Sequence, residues 1–294
     1  MKNDYVFMTD SDSDLPYELA DEWGIPVVKM PYVLDGVEYF DENGREGVEK
    51  QRMLFQRMRE GSAPSTSQLP TEAYLEYFEP ILKEKDLLFI SFSSKMSSTL
   101  NNVKEAREQL LQKYPGRKFR IVDTMSISAP MTLLLCRAHE LYEQGASMEE
   151  VADWVEKNRF RAHGWFTVDD LVYLRRGGRI TPTSAVFGTL LDIKPILCEG
   201  LSGKIDAAEK VQGRRKAMRV LVDKVEKYIE HPEEQELIVL HADCIAEAER
   251  FAAMLKERIP TIRSIRIGMV GPVIGAHCGP GTLSCSFMGK ERDI

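Results

Sequence analysis

Apolar positions in the first half of the chain fall into short runs that alternate with helical patterns. Residues 5–8 make a short apolar strand that ends in Thr9-Asp10. Residues 17–23 predict a helix stopped by Gly24, because glycine takes the left-handed cap conformation without steric cost. Residues 27–33 predict a strand, and Asp35-Gly36 turns the chain back through 37–40. Residues 48–59 are amphipathic at helical period, and 71–83 form a second helix with aromatics on one face. The uninterrupted apolar run at 87–92 is the pattern of a strand buried on both faces. A helix at 98–112, a strand at 119–122 and a helix at 129–142 follow, and Ser147 with Glu150 forms a capping box that opens a helix to residue 157. Strands separated by crossover helices imply a parallel sheet.

The pattern changes near residue 160. A strand at 160–168 leads to a short helix at 170–176, ended by Gly177-Gly178, and to another helix at 184–191. Residues 193–198 and 204–211 read as an antiparallel pair around Gly200 and Gly203. Helices at 216–230 and 246–257 alternate with strands at 237–241, 265–270 and 283–288. The predicted architecture is an α/β chain of two domains: an N-terminal three-layer parallel-sheet domain, residues 1–160, and a C-terminal α+β domain, residues 161–294.

Composition narrows the partners. The formal charge of -7 argues against nucleic acid, since a phosphate-binding surface needs a basic excess. The basic segments Arg175-Arg176-Gly177-Gly178-Arg179 and Arg214-Arg215-Lys216 are short, sit among acids and read as solvated faces. The 5 cysteines form no CxxC pair and several lie in apolar runs, which points to buried reduced thiols and a cytoplasmic location. No apolar stretch reaches the ~20 residues of a membrane span, so no stable membrane insertion is expected. No heptad or exposed apolar stripe stands out, which leads us to expect a monomer.

Several common catalytic signals are missing. The sequence has no GxxxxGK[ST], no GxGxxG, no GxSxG and no HExxH. His241, Asp243 and Cys244 match no metal-ligand spacing and read as a strand end; no metal or cofactor is expected. Three polar segments remain: Ser62-Ala63-Pro64-Ser65-Thr66-Ser67-Gln68, the hydroxyl-rich stretch from Ser91 to Thr99, and the glycine-rich loop 271–281 with His277 in its middle. Hydroxyls and free backbone N–H groups beyond a strand end suit an anion. A fourth segment, Thr9-Asp10-Ser11-Asp12-Ser13-Asp14, reads as acidic N-caps in preference to a hard-cation site. Spacing alone thus suggests a small anion site and names no ligand.

Thr9-Asp10-Ser11, Thr66-Ser67-Gln68, Ile90-Ser91-Phe92-Ser93-Ser94 with Ser97 and Thr99, Val122-Asp123-Thr124, the segment from Phe166 through Arg175-Arg176-Gly177-Gly178-Arg179-Ile180, Leu190 to Leu197, Gly203-Lys204-Ile205 and Gly275 to Gly281 occur together in this order. In this the chain resembles the DegV family over nearly its whole length. The resemblance implies a bacterial protein of two α/β domains with a lipid tunnel at their junction. It implies a long-chain fatty acid as ligand, and for some members a separate ATP-dependent fatty-acid kinase that phosphorylates the bound carboxylate. By motif match, Thr66, Ser94 and His277 hold the carboxyl group, with Ser93 and Ser97 close by; Arg175 and Arg176 match a basic motif without a firm role. His277 would be a stronger donor if protonated. Candidate material for the tail is Met30, Val33, Phe187, Leu190, Leu191 and Ile196. The chain departs from the family pattern at Leu69, which intervenes before Pro70, at Ser98 in place of a glycine, and at Cys278 in place of a threonine. Two competing expectations are a Ser94–His277 esterase, weakened by the missing GxSxG, and a lipid-responsive regulator with no kinase partner.

Overall fold

The computed structural model describes residues 3–42, 45–180 and 192–294. In chain order the first half contains β1 (Tyr5–Asp10), α1 (Tyr17–Trp23), β2 (Val27–Val28), β3 (Pro31–Leu34), β4 (Val37–Phe40), α2 (Arg45–Arg59), β5 (Ser65–Thr66), α3 (Thr71–Leu82), β6 (Asp86–Ser91), α4 (Thr99–Lys113), β7 (Phe119–Asp123), α5 (Ser128–Glu143) and α6 (Met148–Asn158). The second half contains β8 (Ala162–Thr167), α7 (Val172–Arg176), β9 (Ile193–Glu199), β10 (Ile205–Gln212), α8 (Arg214–Tyr228), β11 (Glu236–His241), α9 (Ile245–Arg258), β12 (Ser264–Met269), α10 (Pro272–Cys278) and β13 (Leu283–Met288). Among the described residues no helix is long and apolar enough to cross a membrane.

A parallel sheet of order β2-β1-β6-β7 organises the first half. Alternation decides which helix covers which face. Phe78 of α3 packs on Phe89 and Phe119, whereas Tyr142 of α5 packs on Tyr5 and Phe7. Phe7 registers with Leu88, one residue out of phase with Phe89, so α3 and α5 cover opposite faces. This is the three-layer arrangement that the apolar run at 87–92 demands. The capping box on α6 is present: Ser147 Oγ accepts the Glu150 N–H, and Glu150 Oε2 accepts the Ser147 N–H at 2.8 Å.

The second half carries a six-stranded mixed sheet, β10-β9-β8-β13-β11-β12. One face, with Trp165, Ile196, Val239, Cys285 and Phe287, is buried under α8 and α9. Its other face turns toward the first half, where α5 lies against β8 and β13. Helix α5 is therefore a layer shared by both sheets. That explains why its buried residues, among them Met131, Thr132, Leu134 and Leu135, do not form a single stripe.

The predicted strand at 27–33 is two strands in two sheets. Met30 N–H donates to Ser11 Oγ at 3.0 Å, and Met30 O accepts the Asp41 N–H at 2.8 Å. With both groups engaged, the ladder breaks and β3 joins an antiparallel sheet of order β4-β3-β5. The stretch 271–281, read as a loop, contains α10: Pro272 opens it and Gly279, at φ +79°, closes it. Arg214 is not a solvated residue, since its Nε pairs with Glu247 at 2.8 Å and its Nη2 donates to Gly281 O at 2.6 Å. The predicted helix at 184–191, with Phe187, Leu190 and Leu191, lies outside the described residues.

Candidate functional site

Between the two large sheets lies a chamber of about 200 Å³. From the first half Met30, Phe92, Met96 and Ile127 line it; from the second half Phe166, Leu174, Val270 and Ile274. Of the candidates for an acyl slot, Met30 thus stands on the wall, but Val33 and Ile196 do not. Ile196 belongs to the face under α8, and strand alternation turns its neighbours Leu197 and Glu199 toward the first half instead.

One end of the chamber is polar. Strand β5 places Thr66 opposite Tyr32, and α10 packs on β3, β5 and α2. This brings Thr66 Oγ1 to 2.8 Å from His277 Nε2. Gly177 makes the imidazole position available: a Cβ there would lie 2.2 Å from His277 Nδ1. Burial pushes His277 down to about 4, and the nearby Arg179 pushes it the same way. The ring is therefore neutral at ordinary pH, and its contribution is a hydrogen bond without charge. The charge comes from Arg179, which lines the chamber and donates to the Gly177 carbonyl. Among the described residues no carboxylate forms an ion pair with it.

Asp12 is the nearby acid. Its carboxyl is buried, lines the chamber and has Oδ1 without a partner among the described residues. Burial, with the carboxyls of Asp10, Asp41 and Asp14 adding repulsion, pushes it well above the usual carboxylate range. Raised in this way, the carboxyl is less inclined to carry charge toward an incoming anion, although the Arg179 guanidinium pulls it the other way. Asp10 is buried and Asp14 half-buried, and desolvation raises both to about 7. Asp10 Oδ2 accepts from Ser91 Oγ at 2.7 Å; Asp14 accepts from Ser128 Oγ and from the Gly271 N–H. The acidic N-cap reading of Thr9–Asp14 is thereby corrected. Neither the 3₁₀ turn at Ser11–Ser13 nor α1 has a side-chain cap, and the acids instead tie β1 to the β6 end and to α10.

The hydroxyl-rich stretch after β6 is divided in use. Ser97 lines the chamber and lies 2.9 Å from Thr99 Oγ1. Ser93 Oγ is buried and donates to Gly203 O at 2.7 Å. Ser94 donates its N–H to Asp123 Oδ1 at 3.3 Å and is not among the described wall residues. Gln68 Nε2 donates to Ser98 Oγ at 2.6 Å, joining the β5 end to α4. Arg175 and Arg176 are exposed on α7 and stand off the wall. No hydrogen bond joins Ser94 to His277 among the described residues, so the pair lacks the contact that a nucleophile and its base need. Arg179, Asp12 and Gly177 escaped sequence reasoning as site residues, although Arg179 and Gly177 sit inside a glycine-punctuated basic segment that marks a turn against something.

Two other places merit comparison. A hollow of about 290 Å³ is lined by Asp14, Glu18, Glu42, His241 and Arg266; its acids make it a poor host for an anion. His231, Glu233 and Glu234 are grouped closely enough for a cation but are exposed in a turn.

A family model described as "Uncharacterised protein, DegV family" matches residues 6–290. A DegV domain-containing protein of Clostridium perfringens is 38% identical over 290 residues, covering 98% of this chain and 99% of that protein. Among solved structures, one described as a DegV lipid binding protein from Thermotoga maritima superposes with TM-score 0.83 at 28% identity, covering 100% of both chains. Another, described by fatty acid binding of a DegV family protein from Thermus thermophilus, has TM-score 0.80 at 31% identity and covers 97% of this chain and 99% of that one. With a family model spanning both sheets and a relative matched end to end, this chain belongs to the DegV family.

Proposed function

We propose that the chain binds one long-chain fatty acid in this chamber. Thr66 and His277 hydrogen-bond the carboxylate, Arg179 supplies the compensating charge, and Ser94 and Ser97 are the loop hydroxyls that can turn toward it. The observation that carries the reading is an apolar chamber ending in a neutral His–Thr pair beside a guanidinium with no acid partner among the described residues. Burial of a sixteen-carbon tail at ~0.8 kcal/mol per CH₂ gains roughly 11 kcal/mol before ordering costs, so the tail supplies most of the affinity. The head group supplies orientation, since an unpaired buried carboxylate is costly. The lipid- and fatty-acid-binding relatives with the same fold support the same reading.

Denaturing extraction and mass spectrometry should release about one fatty acid per chain. Protein purified empty from lipid-rich cells would overturn the proposal. Ser94→Ala and Ser97→Ala, compared side by side, identify the hydroxyl in use.

The reading extends to presentation. A carboxylate held by hydrogen bonds keeps an oxygen able to attack the terminal phosphorus of ATP supplied by a separate kinase, giving acyl phosphate and ADP. The exposed Arg175 and Arg176 end the helix that precedes Gly177, next to the head-group end. A reducing, cytoplasmic setting suits the free thiols of Cys136, Cys198, Cys244, Cys278 and Cys285. ATP-dependent acyl phosphate formation with a candidate kinase tests this step. Its absence with every candidate, while the acid still binds, would leave a lipid-responsive binding protein.

A further inference from the structure

We propose that Glu199, held by Arg292 of the C-terminal tail, is the end-stop of the acyl chamber and sets the longest chain it accepts. The proposal rests on the fatty-acid reading above. Thr282 donates its hydroxyl to Cys278 O at 3.0 Å and to Gly279 O at 2.8 Å, so this wall begins beside the helix that carries His277. From there the inward row runs along β13 through Ser284 and Ser286, which register with Phe166 and Gly164 on β8. On β9, Leu197 pairs with Phe166 and Cys198 with Trp165, which puts Glu199 level with Gly164. Ser284, Ser286, Gly164 and Glu199 all line the chamber. The four steps from Thr282 to Ser286 span about 13 Å at ~3.3 Å per strand residue.

The row then closes. Ala162 is the next inward residue of β8, and its carbonyl accepts Arg292 Nε–H at 2.8 Å. Arg292 Nη2 lies 3.0 Å from Glu199 Oε2, and the two side chains are 2% and 5% exposed. Glu199 Oε1 accepts the Ile127 N–H at 3.3 Å, so the carboxylate is pinned from both halves of the molecule. Behind it a void of about 10 Å³ lies under the tail, bounded by Gly164, Glu199, Arg292 and Ile294. Gly164 and Glu199 thus form the partition between chamber and void. Room in front of the partition depends on Gly164, where a Cβ would stand 2.6 Å from Pro130 Cγ and 3.4 Å from Glu199 Oε1. A methyl terminus cannot advance without stripping partners from a buried ion pair, which no methylene contact replaces.

The test is a ladder of saturated fatty acids two carbons apart, competing with a fluorescent acid for the full-length, delipidated chain. Wild type should gain affinity with length up to a limit and then lose it. Gly164→Ala should move that limit to a shorter acid, weakening the longest accepted one about tenfold and leaving the shortest unchanged. Glu199→Ala combined with Arg292→Met removes both charges, so that neither is stranded, and should move the limit to a longer acid. If either variant folds and leaves the limit in place, Glu199 is not the stop. If wild type binds no acid of any length, the fatty-acid reading itself falls, and the end-stop with it.

Discussion

A methyl group at position 177 would stand 2.2 Å from His277 Nδ1, whereas one at Gly116 would meet nothing within 4 Å. Gly177→Ala should therefore displace the imidazole from Thr66 and weaken fatty-acid binding about tenfold or more, the worth of a hydrogen bond to a charged group. Gly116→Ala should bind as wild type does. Competitive displacement of a fluorescent acid reads both, and equal affinities would place the head group elsewhere. Asp14 gives a second prediction. Its carboxyl is raised to about 7 from 3.8, so between these values the native state keeps a proton that the unfolded chain has lost. Stability then falls as pH rises through that window and levels off above it. His163 and His277, pushed down to about 4, act oppositely, their contribution being lost as pH falls below the usual 6.5. Comparing wild type with Asp14→Asn isolates the acid. The wild type's stability relative to the variant should fall by at most ~1.4 kcal/mol per pH unit up to about pH 7. Urea midpoints measured across that range check it, and a constant difference would show Asp14 ionised throughout.

At the level of elements, α10 is the piece on which the proposed head-group end depends. It is short and glycine-containing, and it holds its position by packing on α2: a Cβ at Gly275 would lie 2.7 Å from Phe55 Cζ. Gly275→Val should force the two helices apart, cost about 1–3 kcal/mol by overpacking and weaken acid binding with it. Ser147→Ala removes the α6 cap for about 1 kcal/mol and, lying far from the chamber, should leave binding unchanged. Denaturant midpoints paired with binding curves for both variants separate stability from geometry. The same helix shows where sequence reading stops. Long periodic elements such as α3, α4 and α8 were legible because their apolar stripes and terminators are local. Helix α10 and the two-residue strand β5 were not, because a Pro-Val-Ile-Gly stretch and a Ser-Thr pair take their conformation from the partners they pack against. The polar segments that hold Thr66 and His277 were legible from residue pattern as parts of an anion site, whereas the assignment of these two residues to a carboxylate came only from the family resemblance. Asp12 and Arg179 were hidden for a related reason: nothing in the run Asp10-Ser11-Asp12 announces that its carboxyls are buried where β1 meets the β6 end and α5. Ile196 was assigned to the wrong side of its strand because a nearly continuous apolar run, Ile193 to Cys198, carries no alternation from which to read a face.

On the scale of the whole molecule, the chamber is a joint between halves that otherwise have separate sheets. Among the described residues the parallel sheet uses no strand after Asp123, and the mixed sheet none before Ala162. Helix α5 and the excursion through β3, α2 and β5 are what the first half lends to the second. A tail lying between Met30 and Ile127 on one side and Phe166 and Val270 on the other would replace the contacts that an empty chamber denies to both walls. Ligand should accordingly stabilise the two halves together. At free acid one hundredfold above its dissociation constant the gain is about 2.7 kcal/mol. Delipidated protein should therefore melt lower than the lipid-loaded form, and adding a long-chain fatty acid should restore the higher temperature. Amide exchange locates the effect. Protection should rise both in the loop after β6, at Phe92 to Ser97, and along β13, because each contributes wall to the chamber. Protection that rises in one half alone would mean that the acid sits on a surface of that half, and the proposed seat between the two sheets would have to be abandoned.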